Sequence, residues 1–268
     1  YFTMGALAAA FFVFGAMIFY AITGTVELAQ MAQVLTEDGF LTVENYANYI
    51  LVLLGFVFMF AAIGFKLSLF PYHTWVPDVY QGSTSAMAGF LSVVPKMAGF
   101  VVALRFFEIF MQVNDVIIQT MLYVTVVLTI TIPNLIALQQ KDIKRMLSYS
   151  SISNAGMAMA AIVIGTQQAI NGLFLYWILF TVTNLGAFGM LWLNRGKEFN
   201  DYGSPYTFKK FSGLAQISPF TASIFGIFLF ALTGLPPFAL FWGKMYIVAS
   251  AVNAGHIALA VIIVINSA

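Results

Sequence analysis

The sequence predicts an all-α fold, a polytopic bundle of transmembrane helices with inverted repeats and two discontinuous helices. The first observation behind this prediction is the composition: 61% of the 268 residues are hydrophobic and 8% are charged. A soluble domain carries about 25% charged residues. The second is a series of apolar runs of about 20 residues, which is the length that crosses a bilayer core as a helix. The third is that prolines interrupt two of these runs, each beside a lysine.

The apolar runs predict eight spans, with the last cut short: 1–23, 47–70, 84–107, 116–138, 146–165, 169–193, 219–251 and 256–268. The chain begins and ends inside apolar runs, with neither an initiator methionine nor a signal peptide. We therefore expect a fragment of a larger subunit, with helices missing at both ends. Residues 1–268 are expected to form a single transmembrane domain, in which 1–115 is the later part of a first inverted repeat and 116–268 is a second.

The charges of the connecting segments predict the orientation. Successive connections lie on alternate sides of the membrane, which places 71–83, 139–145 and 194–218 on the same side. These segments hold the basic residues Lys141, Lys144, Arg145, Arg195, Lys197, Lys209 and Lys210. The opposite side holds acidic residues with no Lys or Arg. The positive-inside rule then predicts that 139–145 and 194–218 are cytoplasmic and that the 24–46 connection lies outside.

Two spans are interrupted by proline. Pro71 follows Lys66 closely, and Pro236 and Pro237 precede Lys244 by one to two turns. Proline removes a backbone donor and clashes with the preceding turn, so we expect helix breaks at both places. Broken helices at membrane depth are tolerated where they line a cavity or pack within protein, and a pair of them indicates an inverted-repeat transporter.

Three lysines lie inside otherwise apolar stretches: Lys66, Lys96 and Lys244. A cation in the hydrocarbon core costs from a few to about 10 kcal/mol, so three of them suggest a buried path that water can reach. A buried lysine ammonium also exchanges its proton more readily than an exposed one. We therefore predict that the three lysines carry protons. The alternative for Lys66 is that its side chain reaches the cytoplasmic interface.

Hydroxyls, amides and imidazoles could carry protons between the lysines. The candidate relay residues are His73, Tyr149, Ser150, Ser153, Asn154, Tyr176 and Thr183. The alternative for each hydroxyl or amide is a hydrogen bond to backbone or to a neighbouring helix. His73 is either a proton relay or an interfacial cap, with no preference from the sequence.

Several kinds of site are not expected. The chain has no cysteine, and His73 and His256 are far apart, so neither a thiolate site nor a histidine-rich metal cluster is expected. Neither GxGxxG nor GxxxxGK[ST] occurs. We predict no cofactor-binding residues, no metal ligands and no nucleic-acid partner.

Three segments carry a resemblance to a known family: GFKLSLFPYHTWVPDVYQGSTSAMAGFLSVVPKMAGF, QKDIKRMLSYSSISNAGM and LTGLPPFALFWGKMY. Together they resemble the subunit N family of bacterial proton-pumping NADH–quinone oxidoreductase (complex I), which is related to the Mrp-type cation/proton antiporters. The pattern HxWxPDVYQG favours subunit N over its sister subunits L and M. The resemblance covers essentially the whole chain, from about the sixth to the thirteenth helix of a fourteen-helix member.

The resemblance implies roles for the lysines. Lys66 matches the lysine of the first broken helix, whose partner is a glutamate on a helix that would lie upstream of Tyr1. Lys96 matches the central lysine that links two half-channels, and Lys244 matches the lysine that delivers protons to the outside. Asn154 stands where the family often has histidine. Since asparagine does not titrate, water or Tyr149 would have to bridge there.

The resemblance also implies a setting. The chain would be a non-redox, proton-translocating subunit of NADH:quinone oxidoreductase in the bacterial inner membrane. Its partners would be the antiporter-like subunit M, small membrane subunits, lipid, protons and water. NADH, FMN, iron–sulfur clusters and quinone would be bound by other subunits, whose redox chemistry is coupled to this chain from a distance.

Two alternative functions belong to other classes of protein. An Mrp-type Na⁺/H⁺ antiporter would be driven by ion gradients alone, and the subunit N motif weighs against it. A purely structural helix bundle or lipid scaffold would leave the three lysines unexplained.

Overall fold

A computed structural model describes residues 1–36, 46–113, 115–194 and 206–267. Within these ranges the regular secondary structure is helical, apart from one isolated bridge between Asp142 and Thr207. In chain order the helices are α1 Phe2–Thr23, α2 Leu28–Thr36, α3 Tyr46–Leu67, α4 Trp75–Gly82, α5 Ser85–Val113, α6 Val116–Ala137, α7 Ile143–Ile164, α8 Gln167–Leu193, α9 Phe208–Phe211, α10 Leu214–Ile217, α11 Pro219–Thr233, α12 Leu240–Asn253 and α13 Ile257–Ile265. The predicted all-α fold is confirmed.

Six of these helices, α1, α3, α5, α6, α7 and α8, are long and apolar enough to cross a membrane. Helix α2 was not predicted, and it forms in the 24–46 connection because Met31 and Leu35, four residues apart, bury one face of it. Helix α5 continues past its predicted end at residue 107. The charged residues there are exposed, while Phe106 and Phe110 remain buried on the opposite face.

Local signals fix several helix ends. The side chains of Asp115, Asp142 and Thr166 accept hydrogen bonds from the first turns of α6, α7 and α8. These N-caps satisfy amides that have no partner inside the helix. At the other end of α7, Gly165 adopts a left-handed conformation with φ 69°, as is common where a helix stops.

Both predicted interruptions are present. Helix α3 ends at Leu67 and α4 begins at Trp75, with Pro71 between them. The first break is held by hydrogen bonds from Phe70 N–H to Thr129 Oγ1 (2.9 Å) and from Trp75 Nε1 to the Phe65 carbonyl (3.2 Å). Backbone groups that lose their helical hydrogen bonds at this break therefore bond to side chains within the protein.

The second break separates α11, which ends at Thr233, from α12, which begins at Leu240, and it contains Pro236 and Pro237. The predicted span 219–251 is therefore two half-length helices. The inverted-repeat relation between 1–115 and 116–268 stays a prediction.

Helix α7 is the centre of the bundle. All residues from 151 to 164 are buried, and α7 packs against α4, α5, α6, α8 and α12. The polar stretch that the sequence places at the start of this helix therefore lies inside protein, where serine and asparagine side chains need partners.

One end of the bundle joins three segments that the charge pattern had grouped on one side. The buried Lys144 ammonium donates to the carbonyls of Gln81 (3.3 Å) and Ser83, and its Nζ lies 4.9 Å from the ring of Tyr206. Arg145 forms an ion pair with Asp78 at 2.7 Å. Arg195 and Lys197 lie outside the described residues, as do the acidic Glu198 and Asp201.

Candidate functional site

Lys96 is buried in the middle of α5, with 1% of its surface exposed. Its ammonium donates to both the backbone carbonyl and the hydroxyl of Ser151 on α7, each at 3.1 Å. The Ser151 hydroxyl in turn faces the Ser92 carbonyl at 3.5 Å. These contacts confirm the expected burial of Lys96 beside polar groups of the helices that follow it.

Lys244 is 6% exposed and lies in the first turns of α12. Its ammonium donates to the carbonyl of Thr233, the last residue of α11, at 2.7 Å. A helix leaves its last carbonyls without internal partners, and the helix dipole favours a cation there. The break between α11 and α12 therefore creates the acceptor that holds this buried ammonium.

Gly234 makes this arrangement possible. Its φ is 72°, a left-handed conformation that ends α11. A Cβ at this position would lie 2.7 Å from Lys244 Cδ and 3.0 Å from Nζ. The absence of a side chain thus leaves the space that the lysine occupies.

Asn154 and Tyr176 lie between the two buried lysines. The Tyr176 hydroxyl donates to Asn154 Oδ1, and Asn154 Nδ2 donates to the Ser150 carbonyl at 2.7 Å and to its hydroxyl at 3.2 Å. Tyr176 also packs directly against Gly243, the residue before Lys244: a Cβ on Gly243 would lie 2.7 Å from Tyr176 Cα.

These contacts form a lateral file through four helices. It runs from Lys96 on α5 to Ser151 on α7, passes to Asn154 one turn further along, continues to Tyr176 on α8, and reaches Lys244 on α12. Hydrogen bonds join Lys96 to Ser151 and Tyr176 to Asn154. Ser151 and Asn154 are three residues apart on α7, and the backbone of Tyr176 packs on Gly243, the residue before Lys244. The file crosses the bundle from helix to helix.

Lys66 is placed differently from the prediction. It is exposed on the surface of the described chain, so the expected burial is wrong for this chain. It lines an open groove of about 500 Å³ between α1, α3 and α5, together with Pro95 and Gly99. Lys66 Cβ would contact a Cβ on Gly99 at 3.9 Å, so the lysine borders the α5 turn that follows Lys96.

Three of the predicted relay residues bind elsewhere. The Ser153 hydroxyl donates to the Ile130 carbonyl of α6 at 3.1 Å, and Thr183 donates to the Leu179 carbonyl of its own helix at 2.7 Å. Both hydroxyls therefore donate to backbone carbonyls, which is the alternative to a relay role that the sequence left open. Tyr149 interacts with Arg145 at the end of the bundle, so it does not bridge to Asn154.

His73 lies in the break between α3 and α4. It is 6% exposed, and its ring stacks on Phe70 with centroids 5.5 Å apart. Its Nδ1 has no hydrogen-bond partner among the described residues. This burial disfavours an interfacial cap, and a relay role stays a prediction.

Sequence reasoning missed Ser151, which is the direct partner of Lys96. It also missed the buried pair in which Asn184 Nδ2 donates to Ser92 Oγ. The available signal was spacing: Ser151 lies on the same face of α7 as Lys144 and Ser148, at intervals of three and four residues.

Across the described ranges, no group of three or more His, Cys, Asp or Glu side chains could hold a metal ion. That the chain binds no cofactor of its own stays a prediction.

Comparisons with known proteins agree on one family. The family model described as NADH:quinone oxidoreductase/Mrp antiporter, TM, matches residues 1–268. NADH-quinone oxidoreductase subunit N of Sulfurimonas denitrificans is 54% identical over 100% of this chain and 52% of its own length. The chain thus spans about half the length of the curated relatives it matches.

Two solved structures are similar. A chain of respiratory complex I from Thermus thermophilus with bound Aureothin has a TM-score of 0.76 and 32% identity, covering 100% of this chain and 55% of that one. A chain of the Mrp complex from Dietzia sp. has a TM-score of 0.83 and 22% identity, covering 100% and 47%. The second likeness shows the fold alone. The match over all 268 residues shows that the chain belongs to the NADH:quinone oxidoreductase/Mrp antiporter transmembrane family.

Proposed function

We propose that this chain is the proton-conducting part of an antiporter-like membrane subunit of a respiratory NADH–quinone oxidoreductase, and that it moves protons along the file from Lys96 to Lys244. The observation that carries the proposal is the file itself. Lys96 and Lys244 are both buried, and Ser151, Asn154 and Tyr176 place polar side chains on α7 and α8, the two helices that pack against both α5 and α12. A structural bundle needs neither buried cation, since each is costly in a membrane.

The file can conduct because each member can donate or accept a hydrogen bond. A proton that leaves the Lys96 ammonium passes to water held by the Ser151 hydroxyl, and that water passes a proton on to the next water molecule along the file. Asn154 does not titrate, so its amide orients Tyr176 and water, and the proton moves by exchange of hydrogen bonds. Lys244 receives the proton when its amine is neutral and later releases it.

Repulsion between ammonium groups couples the two ends of the file. Two unit charges repel each other more strongly inside a protein than in water, because the effective dielectric constant there is about 20 rather than about 80. A proton that arrives at Lys96 therefore favours release of the proton from Lys244. The Thr233 carbonyl holds that ammonium at 2.7 Å until release.

Family membership and the relatives named subunit N support a proposal for the wider setting of the chain. As a family member with six spanning-length helices, the chain is a multi-pass membrane protein. We place it in the bacterial inner membrane beside subunit M and small membrane subunits. Redox cofactors and quinone would be bound elsewhere in the complex. Lys66, at the groove, would pair with a glutamate from a helix that precedes Tyr1.

The proposal is tested by replacing Lys96 with alanine in the full-length subunit. We expect proton pumping by the assembled complex to fall about tenfold. This is less than the 10²–10⁴ typical for loss of an acid–base group, because water at Ser151 can still carry some protons. Proton translocation and quinone reduction are measured in membrane vesicles, with complex assembly quantified separately.

Lys210→Ala is the matched control, because this lysine is exposed and lies away from the file. Normal pumping in assembled Lys96→Ala complexes would remove Lys96 from the path. Sodium-dependent proton movement without quinone reduction would favour the Mrp-type antiporter instead.

The predicted orientation has its own test. The chain contains no cysteine, so single cysteines can be introduced at the exposed positions Lys210 and Glu27, in a full-length subunit whose other cysteines are replaced. In inside-out vesicles, a membrane-impermeant maleimide should label Lys210→Cys and leave Glu27→Cys unlabelled. The reverse pattern would invert the assignment.

A further inference from the structure

The segment that leads towards α11 is paired with the start of α7 through the backbone. Ile143 N–H donates to the Tyr206 carbonyl at 2.9 Å, and Phe208 N–H donates to the Lys141 carbonyl at 3.2 Å. These hydrogen bonds flank the isolated antiparallel bridge between the two segments. Because this pairing is only a few residues long, side-chain contacts decide what else it holds in place.

The side chain of Lys144 joins this pairing to α4. Lys144 is 1% exposed, and its ammonium donates to the carbonyls of Gln81 and Ser83 at the C-terminal end of α4. The same ammonium lies 4.9 Å from the centre of the Tyr206 ring. The C-terminal end of a helix favours a cation, and so does the face of an aromatic ring. One buried ammonium therefore binds the end of α4 and the segment that leads towards α11 at the same time.

Arg145, the next residue of α7, also contacts α4, but more weakly. Its guanidinium donates to Asp78 Oδ1 at 2.7 Å and to Gln81 Oε1 at 2.8 Å. The side chain of Asp78 is 73% exposed, and an exposed ion pair contributes little to stability. A buried ammonium with hydrogen-bonded partners costs more to lose. Lys144 is therefore the main attachment of the end of α4.

The short helices α9 and α10 connect Tyr206 to α11. The ring of Phe211, the last residue of α9, lies 5.7 Å from the ring of Phe225 on α11, and α10 also packs against α11. Helix α11 has 15 residues and spans about 22 Å. The carbonyl of its last residue, Thr233, holds the Lys244 ammonium at 2.7 Å. A series of contacts thus runs from α4 to the second break without passing through the file.

We propose that Lys144 and Tyr206 form a latch that fixes the end of α4 to the segment entering α11, so that the two interrupted spans are held by one shared contact. Loosening the latch at either residue loosens both spans. A change in the packing of α4 is then transmitted to α11, and through the Thr233 carbonyl to Lys244. The latch is a conformational device that carries no proton itself.

The test is amide hydrogen exchange of the full-length subunit in the assembled complex, with Lys144→Met, Tyr206→Leu or both. Methionine is similar in length to lysine but donates no hydrogen bond. In Lys144→Met, amides of 79–84 and of 208–218 should both exchange about tenfold faster, because one charged hydrogen-bond donor holds both segments. In Tyr206→Leu, amides of 79–84, on the other side of the latch, should exchange about threefold faster.

Two matched controls separate the latch from general disruption. Lys141 is an exposed lysine of the same segment, so Lys141→Met should leave exchange unchanged. Tyr206→Phe keeps the ring beside the Lys144 ammonium, so exchange at 79–84 should stay at the wild-type rate, in contrast to Tyr206→Leu.

The double variant tests whether the two residues act through each other. If Tyr206 acts on α4 through the Lys144 ammonium, the double variant should exchange at 79–84 no faster than Lys144→Met alone. Effects that multiply, or a Tyr206→Leu variant with faster exchange at 208–218 only, would overturn the proposal. If Lys144→Met prevents assembly, equal exchange at 79–84 in Tyr206→Leu and Tyr206→Phe would overturn it instead. None of these measurements depends on pumping, so their failure leaves the file to its own test with Lys96→Ala.

Discussion

Replacing Lys244 by alanine should lower proton pumping about a hundredfold or more, the range for loss of a positioned acid–base group. Lys244 is the last ionisable member of the file, and its ammonium is held by the Thr233 carbonyl at 2.7 Å. Alanine removes both the proton carrier and the charge that responds to Lys96. Water alone would then have to cross a break lined by apolar side chains and Pro236 and Pro237.

Lys244→Arg separates the two functions of the residue. Arginine keeps a positive charge but does not release a proton in proteins, so it should assemble and still pump poorly. The measurements are proton translocation and quinone reduction in vesicles, corrected for assembled complex. Lys209→Ala, at an exposed lysine, is the control. Normal pumping in both Lys244 variants would exclude this lysine from the path.

The two helix breaks could be predicted because their cause is local. Proline cannot donate a backbone hydrogen bond, and α3 and α11 end shortly before Pro71 and the pair Pro236–Pro237. Pro95 and Pro133 lie inside α5 and α6 without ending them, so proline indicates a break only together with its surroundings. The burial of Lys96 and Lys244 was also predictable, because each lies well inside an apolar stretch. Helix α2 was missed, since its nine residues carry only two buried apolar side chains.

Lys66 and Ser151 could not be placed from the sequence, because their surroundings depend on which helices pack together. Lys66 lies in an apolar stretch like the other two lysines, yet α1 and α5 leave its side of α3 open as a groove. Ser151 is one of several serines in the same stretch. Only the packing of α5 on α7 distinguishes it as the partner of Lys96. The Ser153 hydroxyl donates to the Ile130 carbonyl of α6, and the Thr183 hydroxyl donates to the Leu179 carbonyl of its own helix.

Replacing Gly243 by valine should prevent most of the subunit from assembling. A Cβ at Gly243 would lie 2.7 Å from Tyr176 Cα and 3.0 Å from Tyr176 Cβ, so α12 and α8 would have to separate. The first of these atoms belongs to the backbone and cannot turn aside. Overpacking of this kind costs about 1–3 kcal/mol or more, a large fraction of the stability of a typical domain.

The same displacement would disturb the file, because Tyr176 donates to Asn154 and Gly243 precedes Lys244. Complexes that still assemble should therefore also pump poorly. Gly226→Val on α11 is the matched control, since nothing lies within 4 Å of a Cβ there, and it should assemble normally. Assembled complex is measured by native electrophoresis of solubilised membranes. Equal assembly of the two variants would show that α8 and α12 do not need this close contact, and the link from Tyr176 to Lys244 would then have to be reconsidered.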